Sequence, residues 1–327
     1  MRRWLPLVLA VLLLGGCTPS ADGPERPGWR AVDVPGVDVT VADVAACDDG
    51  WYAVGSAAGH PAAWHSPDGR SFTPVPVAPV SLYGPEHLLY AVACAGGHLA
   101  AIGRAHGGAH GNPRTGTWFL RGGTLTEQAA PVEQYGGPLD VGVFRISAGP
   151  GGFLIAGNHP GATAWLSPDG ETFQASAADP DLLAFDGTPT ADGPVLIGQR
   201  VWRSDGTRWT ASDPGPTLHR VSGTLAGGVA GGRFELWDLQ AGKRVAAFGS
   251  TAGPTPARVL GVAVVPGGAY VAVGAGARRT VWHQTADEVR EVAVPFDAPH
   301  VPGGDLLLAA GHGQWVTGTG DGRLWFA

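Results

Sequence analysis

The sequence predicts an all-β fold made of a repeated four-stranded unit, on three observations. The composition favours turns over long helices, since the 327 residues include 53 Gly and 28 Pro and only 15% are charged. Short runs of alternating apolar and small residues recur between glycines, which is the period of a β-strand. Examples are GWYAVGS, GHLAAIGR, GGFLIAGN, GPVLIGQ and GAYVAVGA. Seven of the twelve tryptophans recur at intervals of 35 to 54 residues, close to the spacing of β-propeller blades.

The tryptophans assigned to the third strand of each unit count the blades. They are Trp64, Trp118, Trp165, Trp202, Trp237, Trp282 and Trp325. One unit cannot bury both of its faces, so neighbouring units must stack around an axis, and an indole is suited to fill the space between them. The last unit contains three strands, so we expect a strand within residues 28–36 to supply the fourth and to close the ring. The sequence therefore predicts a seven-bladed β-propeller over residues 28–327, closed by its N-terminal strand.

A similar turn recurs in three of the units. AWHSPDGRSFTPV (residues 63–75), AWLSPDGETFQAS (164–176) and VWRSDGTRWTAS (201–212) each place a Trp before the turn and an aromatic residue after it. Pro presets the turn, Ser or Asp can bond its amides, and Gly accepts a positive φ. We therefore predict a hairpin between the third and fourth strands. Its residues are Ser66, Asp68, Gly69, Phe72, Ser167, Asp169, Gly170, Phe173, Ser204, Asp205, Gly206 and Trp209.

This pattern resembles the Asp-box, or BNR, repeat of sialidase-like propellers, although one residue is missing between Asp and Gly. The resemblance implies a structural turn and carries no information about catalysis.

The N-terminus is predicted to be a signal peptide over residues 1–16. MRRW provides a basic start, and LPLVLAVLLL is an apolar stretch too short to span a membrane comfortably. LGGC, residues 14–17, resembles the lipobox of bacterial lipoproteins, which implies lipidation at Cys17. The alternative is an ordinary secretory signal with an incidental Cys17. We expect an exported protein, lipid-anchored to the outer face of the bacterial cytoplasmic membrane or cell envelope, with a tether over residues 17–27.

The two remaining cysteines are expected to form a disulfide, because exported proteins meet oxidising conditions. Cys47 and Cys94 lie in DVAACDDGWYAVG and YAVACAGGHLAAIG, which align position for position. Both thiols are expected to end a strand just before a tight turn in successive repeats. The alternative is a pair of buried free thiols.

The longest connections are expected at one end of the propeller, over blades 1 to 3. Turns between first and second strands and between third and fourth strands are short, as in DDG, AGG, PGG and SPDG, whereas RAHGGAHGNPRTG, PVPVAPVSLYGPE and EQAAPVEQYGGPLD are long. Variable loops on a rigid scaffold commonly carry binding sites. The candidate binding residues are Tyr83, His87, His106, His110, Arg114, Glu133, Tyr135 and Asp140. For each of them the alternative is a solvated loop without a ligand.

Several function classes are disfavoured by the sequence. A formal net charge of −7 argues against nonspecific nucleic-acid binding. His106 and His110 have an i, i+4 spacing, but HGGAHG is too rich in glycine for the helix that would bring them together, so no metal site is predicted. Arg145 in FRIS faintly resembles the arginine motif of sialidases, yet it sits mid-chain, and a structural role is expected.

The leading hypothesis is a monomeric, noncatalytic binding or scaffold propeller of the bacterial envelope, which presents its long-loop face to a protein or glycan partner. No cofactor is expected. The alternative is an extracellular glycan-active enzyme, a sialidase-like glycoside hydrolase with its site in the axial funnel. Three arginines or two facing carboxylates there would favour it. A third hypothesis is a structural assembly factor that folds onto a partner complex.

Overall fold

The computed structural model describes residues 24–107, 113–137, 141–252, 256–296 and 306–327. The signal peptide (1–16), Cys17, His110 and Asp140 lie outside them. Within the described residues, 29 strands form seven sheets, which confirms the predicted seven-bladed propeller. No helix in this part of the chain is long and apolar enough to cross a membrane.

The first three blades follow one another along the chain. Blade 1 contains β2 (Thr40–Cys47), β3 (Gly50–Ala57), β4 (His60–Ser66) and β5 (Thr73–Val75). Blade 2 contains β7 (Leu88–Ala95), β8 (His98–Ala105), β9 (Arg114–Arg121) and β10 (Thr124–Gln128), with β6 (Val77–Ala78) parallel to β10 at its outer edge. Blade 3 contains β11 (Gly142–Gly149), β12 (Gly152–Asn158), β13 (Ala162–Ser167) and β14 (Gln174–Ala177). Short 3₁₀ turns at Gly84–Glu86 and Val132–Gln134 precede blades 2 and 3.

The remaining blades repeat this order. Blade 4 contains β15 (Ala184–Thr190), β16 (Gly193–Gly198), β17 (Val201–Ser204) and β18 (Trp209–Ser212). Blade 5 contains β19 (Thr217–Ser222), β20 (Leu225–Ala230), β21 (Arg233–Asp238) and β22 (Lys243–Phe248). Blade 6 contains β23 (Arg258–Val265), β24 (Gly268–Ala275), β25 (Arg278–Thr285) and β26 (Val289–Val292). Blade 7 contains β27 (Leu307–Gly311), β28 (Gln314–Gly318), β29 (Arg323–Phe326) and β1 (Arg30–Asp33).

The ring closes in two ways. The first strand of each blade contacts the first strands of both neighbouring blades, and β27 contacts β2. At the outer edge of blade 7, β1 pairs antiparallel with β29, from Arg30 opposite Phe326 to Asp33 opposite Arg323. The predicted closure by the N-terminal strand is therefore confirmed. The described chain is already paired upstream of residue 28, because Glu25 forms a parallel bridge with Val292 in blade 6.

The core is divided among the interfaces between blades. Seven clusters of buried apolar residues each join two neighbouring sheets, so that every blade uses both of its faces. All seven predicted tryptophans lie on third strands. Those of blades 1 to 4 are buried, as predicted for a residue that fills the space between blades.

The tryptophans of blades 5 to 7 differ from this expectation. Trp237, Trp282 and Trp325 are half-buried. The residues that precede them, Leu236, Val281 and Leu324, point to the other face of the strand and are buried. The register of the indoles is nevertheless the same: Trp237 lies opposite Ala226 as Trp64 lies opposite Ala53, and each packs against the cluster shared with the preceding blade.

Cys47 and Cys94 form a disulfide between blades 1 and 2, with 5.6 Å between their Cα atoms, which confirms that prediction. Their hairpin positions differ by one residue, contrary to the expected alignment: Cys47 lies opposite Gly50 at the end of β2, whereas Cys94 lies opposite Leu99, one residue before the end of β7. This offset explains why the thiols can meet. Side chains at identical positions in adjacent blades point in the same direction around the ring and therefore do not face each other. A difference of one residue turns one of the two side chains to the opposite face of its sheet, so the two thiols meet in the space between the blades.

Candidate functional site

The two ends of the propeller differ in their connections. We call the end with the interblade connections and the turns between second and third strands the loop face, and we call the opposite end the tight-turn face. The connections that enter blades 1, 2 and 3 lie on the loop face, where the sequence places the candidate binding residues.

Exposed apolar side chains are concentrated on the loop face of these three blades. In the described part of the chain, six large aliphatic residues are exposed, and five of them are Val37, Val80, Leu82, Val132 and Val141. These five lie in the connections that enter blades 1, 2 and 3. Leu82 is 83% exposed. The sixth, Val264, lies on the tight-turn face of blade 6.

Contacts through the turn between β3 and β4 link the first two of these connections. The connection into blade 1 meets the turn of the same blade, since the Ala58 amide donates to the Val37 carbonyl over 2.9 Å. His60, which follows that turn, lies 3.1 Å through Nδ1 from the Pro85 carbonyl in the connection into blade 2. We call this surface the loop-face arc. It consists of Val37, Val80, Leu82, Tyr83, Arg114, Val132 and Val141.

Tyr83 and Arg114 form a cation–π pair within the arc, with 4.2 Å between the guanidinium carbon and the ring centre. Both side chains are half-buried, and Nε of Arg114 is buried without a hydrogen-bond partner. The pair joins the connection into blade 2 to the start of β9. The structure therefore brings together these two of the predicted candidates.

A buried carboxylate holds the most exposed part of the arc in place. Glu127, on β10, is only 4% exposed. Its Oε2 accepts from the amides of Val80 (2.7 Å) and Ser81 (2.8 Å), and its Oε1 accepts from the Ser81 hydroxyl (2.6 Å). These bonds fix the backbone on both sides of the outward-facing Val80. Sequence analysis missed Glu127, because a single acidic residue on an outer strand carries no signal of burial.

His87 is in the interior, which corrects its expected place on a loop surface. It is 2% exposed, and the Trp118 indole nitrogen donates to its Nδ1 over 3.3 Å. Burial lowers the pKa of His87, while the charge of Glu127 acts in the opposite direction. Because an indole nitrogen can only donate, Nδ1 must be the acceptor, and a neutral ring carries its proton on Nε2.

Tyr135 is also in the interior and not on the expected surface. It is 1% exposed and packs against Trp165 with 5.7 Å between the ring centres. Gln134 Nε2 donates to its hydroxyl over 3.0 Å, and burial raises the pKa of Tyr135 to about 12. His106 and Glu133 are exposed, the latter in the 3₁₀ turn Val132–Gln134 beside the arc. Binding by any of these residues stays a prediction.

The three repeated turns share one hydrogen-bond arrangement. Ser66 Oγ accepts from the Gly69 amide and Ser167 Oγ from the Gly170 amide, both over 2.9 Å, and Ser204 Oγ accepts from the Gly206 amide over 3.1 Å. Asp68, Asp169 and Asp205 each accept from an amide two residues ahead. Phe72 and Phe173 are buried, and Trp209 is half-buried. These contacts account for the recurrence of Ser, Asp and Gly by turn geometry.

Four charged residues occupy the first strands near the axis, each after a β-bulge. They are Asp43, Arg145, Asp186 and Arg220 of blades 1, 3, 4 and 5. Asp43 accepts from the Val92 amide of blade 2 over 3.0 Å, and Asp186 accepts from the Val221 amide of blade 5 over 3.1 Å.

Arg145 lies 3.6 Å from Asp43 across blade 2, whose bulge is followed by the small Ala91. Burial raises the pKa of Asp186, although Arg220 and Arg145 oppose that effect. Both axial carboxylates thus link one blade to the next. The expected structural role of Arg145 agrees with its ion pair.

A cavity of about 220 Å³ lies on the tight-turn face beside the disulfide. Asp49, Tyr52 and His98 are among its lining residues. The Tyr52 hydroxyl donates to Asp49 Oδ2 over 2.9 Å, and burial followed by that bond raises the pKa of Tyr52 to about 12. Among the described residues, no group of three or more His, Cys, Asp and Glu side chains could hold a metal ion.

Comparison with solved structures supports the fold. The chain is similar to the WD40 β-propeller domain of Doa1, with a TM-score of 0.60 and 13% identity over 92% of this chain and 97% of that one. It is also similar to PorZ, a bacterial surface component of the type-IX secretion system of Porphyromonas gingivalis, with a TM-score of 0.56 and 13% identity over 90% of this chain and 37% of that one.

A third similar structure is puromycin hydrolase, with a TM-score of 0.50 and 13% identity over 91% of this chain and 50% of that one. Identities this low show the propeller fold alone. No protein-family model matches the chain, and no curated protein matches it in sequence.

Proposed function

We propose that this protein is a noncatalytic binding or scaffold propeller of the bacterial envelope, which engages a protein partner through the loop-face arc. The observation that carries the proposal is the placement of exposed aliphatic residues. Five of the six such residues in the described chain lie on one end of three adjacent blades. Exposed apolar patches on soluble domains mark interaction surfaces.

The chemistry of the arc favours a protein over a glycan. Val37, Val80, Leu82, Val132 and Val141 offer aliphatic surface and no hydrogen-bonding groups, whereas a sugar needs polar partners for its hydroxyls. Burying a Leu or Val side chain against an apolar partner contributes about 1.5–3 kcal/mol. The half-buried Tyr83 and Arg114 belong to residue types that are enriched in protein interfaces.

Attachment to the membrane is the second part of the proposal. The lipobox-like LGGC predicts a lipid at Cys17, and the propeller as a monomer would then act at the outer face of the cytoplasmic membrane or cell envelope. A Cys17→Ser variant should leave the membrane fraction, and mass spectrometry of the native chain should show the acyl groups. An unacylated chain in the soluble fraction would contradict this part.

Site-specific cross-linking tests the arc. A photo-reactive side chain at Leu82 should capture one defined protein in cells, whereas the same group at Val264, which is 43% exposed on the tight-turn face, should not. With that protein purified, Leu82→Asp should weaken binding by about 2 kcal/mol, roughly 30-fold in Kd. The matched Val264→Asp variant should bind as the wild type does. Equal capture at both positions, or none at Leu82, would contradict the proposal.

The alternative is a glycan-active enzyme that uses the axial carboxylates. Asp43 and Asp186 are the observation that favours it, because glycoside hydrolysis commonly uses two carboxylates. Both accept backbone amides of a neighbouring blade, which supports a structural role. Glycoside turnover by the purified protein, lost in Asp43→Asn or Asp186→Asn variants that remain folded, would establish the alternative.

A further inference from the structure

The chain forms hydrogen bonds with blade 6 at Glu25, before it enters blade 7 as β1. The Glu25 amide donates to the Glu291 carbonyl over 2.8 Å, and the Ala293 amide donates to the Glu25 carbonyl over 2.7 Å. Glu25 Oε2 lies 2.8 Å from His283 Nδ1. The chain is therefore attached to the outer edge of blade 6 from Glu25 onward.

Aromatic contacts reinforce this attachment. The Trp29 indole nitrogen donates to the Ala293 carbonyl over 2.9 Å, and its ring packs edge-on against Trp315 of blade 7 at 4.6 Å between ring centres. Trp315 stacks on Tyr270 at 4.1 Å, and Tyr270 stacks on His283 at 4.2 Å. The segment from Glu25 to Trp29 is thus bound to blades 6 and 7 by both backbone and side chains.

The direction of the chain at Glu25 follows from the sense of its pairing. Its bridge with Val292 is parallel, so the segment runs there in the direction of β26. As the fourth strand of its blade, β26 runs from the tight-turn face toward the loop face. The chain therefore enters its bridge from the side of the tight-turn face.

The distance to a lipid anchor is short. Only seven residues lie between Cys17 and Glu25, and the eight Cα–Cα steps of a fully extended chain span at most about 29 Å. An anchor at Cys17 would therefore hold the outer edge of blade 6 close to the bilayer surface.

Most of the loop-face arc, over blades 2 and 3, lies on the far side of the ring. Blades 2 and 3 are each three blades away from blade 6, which is the greatest separation that a ring of seven allows. From these relationships we infer that the anchored propeller turns its tight-turn face and blade 6 toward the membrane and presents the loop-face arc away from it. The occupant of the arc is then an extramembrane protein domain and not the lipid surface. This inference rests on the anchored binding role proposed above.

Energy transfer to the bilayer tests the orientation. The lipidated full chain is reconstituted in vesicles that contain an acceptor-labelled headgroup lipid. A donor dye is placed on one introduced cysteine, Ala286→Cys on the tight-turn side of blade 6 or Leu82→Cys on the arc; both positions are exposed. We expect several-fold more efficient transfer from position 286 than from position 82. Equal transfer, or stronger transfer from position 82, would overturn the inference.

A variant with a longer tether provides a second test of the orientation. Inserting a long Gly/Ser linker after Ser20 should reduce the difference between the two positions, because a flexible chain no longer holds blade 6 near the lipid. An unchanged difference would show that another contact orients the propeller, and it would also overturn the inference. The two proposals fail separately: a chain that does not enter the vesicles refutes the anchor, whereas an anchored chain with the opposite transfer order refutes only the orientation.

Discussion

Trp118 donates its indole N–H to Nδ1 of His87, on the connection that leads into the same blade, over 3.3 Å. The buried tryptophans of blades 1, 3 and 4 make equivalent bonds, to the Pro35 carbonyl (2.9 Å), the Gln134 carbonyl (2.8 Å) and Asp179 Oδ2 (3.3 Å). In blades 5 and 6, Trp237 and Trp282 instead bond groups on their own strands. The recurring indole thus has a second role in blades 1 to 4, where it ties the incoming connection to the third strand.

Removing the indole donor of Trp118 should destabilise the protein and loosen the connection into blade 2. Trp118→Phe leaves the buried His87 nitrogen without its donor, which costs about 1–3 kcal/mol of unfolding free energy. Urea denaturation measures that change, and amide exchange should accelerate in residues 79–87. Trp282→Phe is the control, because its indole bonds only the nearby Thr280. Equal effects on residues 79–87 would contradict the proposed role.

Glu127 should control the order of the arc. Glu127→Gln replaces one acceptor oxygen with an amide donor, which then faces the Val80 and Ser81 amides or the Ser81 hydroxyl. We therefore expect the free energy of unfolding to fall by about 2 kcal/mol. Hydrogen exchange at Val80 and Ser81 should rise above that of the wild type. The exposed Glu133 gives the matched variant Glu133→Gln, which should leave both amides protected. Protection that survives in Glu127→Gln would show that other contacts hold the connection.

The disulfide between blades 1 and 2 should make a large contribution to stability. Its cysteines are 47 residues apart, and in the chain-entropy model a loop of that length corresponds to about 4 kcal/mol. Cys47→Ser/Cys94→Ser should therefore unfold at a clearly lower denaturant concentration. Reductant should shift the wild type to the same midpoint and leave the double variant unchanged. A variant as stable as the oxidised wild type would refute the prediction.

His219 should make stability depend on pH. Burial, with the charges of Arg220 and Arg258, lowers its pKa to about 4, and Nδ1 accepts from the Val259 amide over 3.2 Å. Because an unfolded histidine has a pKa near 6.5, the stabilisation from the neutral ring is complete above that pH. It is lost as the pH falls from about 6.5 toward 4, by at most about 1.4 kcal/mol per pH unit.

His219→Gln should remove this component. Urea denaturation at pH 7 and pH 5 should show a smaller difference between the two conditions for the variant than for the wild type. The exposed His98 provides the control His98→Gln, which should keep the wild-type difference. If both variants behave alike, the acid sensitivity arises elsewhere in the molecule.

The propeller could be predicted because its signals repeat along the chain. Seven tryptophans on third strands counted the blades, and the missing fourth strand of the last blade indicated closure by residues near Arg30. The disulfide followed from the number of cysteines and the expected compartment. The loop face of blades 1 to 3 followed from connection length, and it carries most of the exposed aliphatic residues.

The remaining features depend on contacts between distant residues. The sequence predicts His87 and Tyr135 on a loop surface, but both lie in the interior. There His87 accepts a hydrogen bond from Trp118, and Tyr135 packs against Trp165. A strand pattern places an indole on one face of its sheet but does not show how completely the neighbouring blade covers it, so the half-buried Trp237 was not foreseen. Asp43 and Asp186 became visible as links between blades only when bulges brought them to the neighbouring amides.

Blade 7 can be completed only after both ends of the propeller have been synthesised, because Arg30 in β1 pairs with Phe326 in β29. Ribosomes add roughly 5–20 residues per second, so about 15–60 s pass between the synthesis of these two partners. During that interval β1 has no strand to join, and the side of blade 1 that meets blade 7 in the folded protein has no partner. A chaperone that delays premature pairing would therefore have most to protect at the N-terminal end of the growing chain.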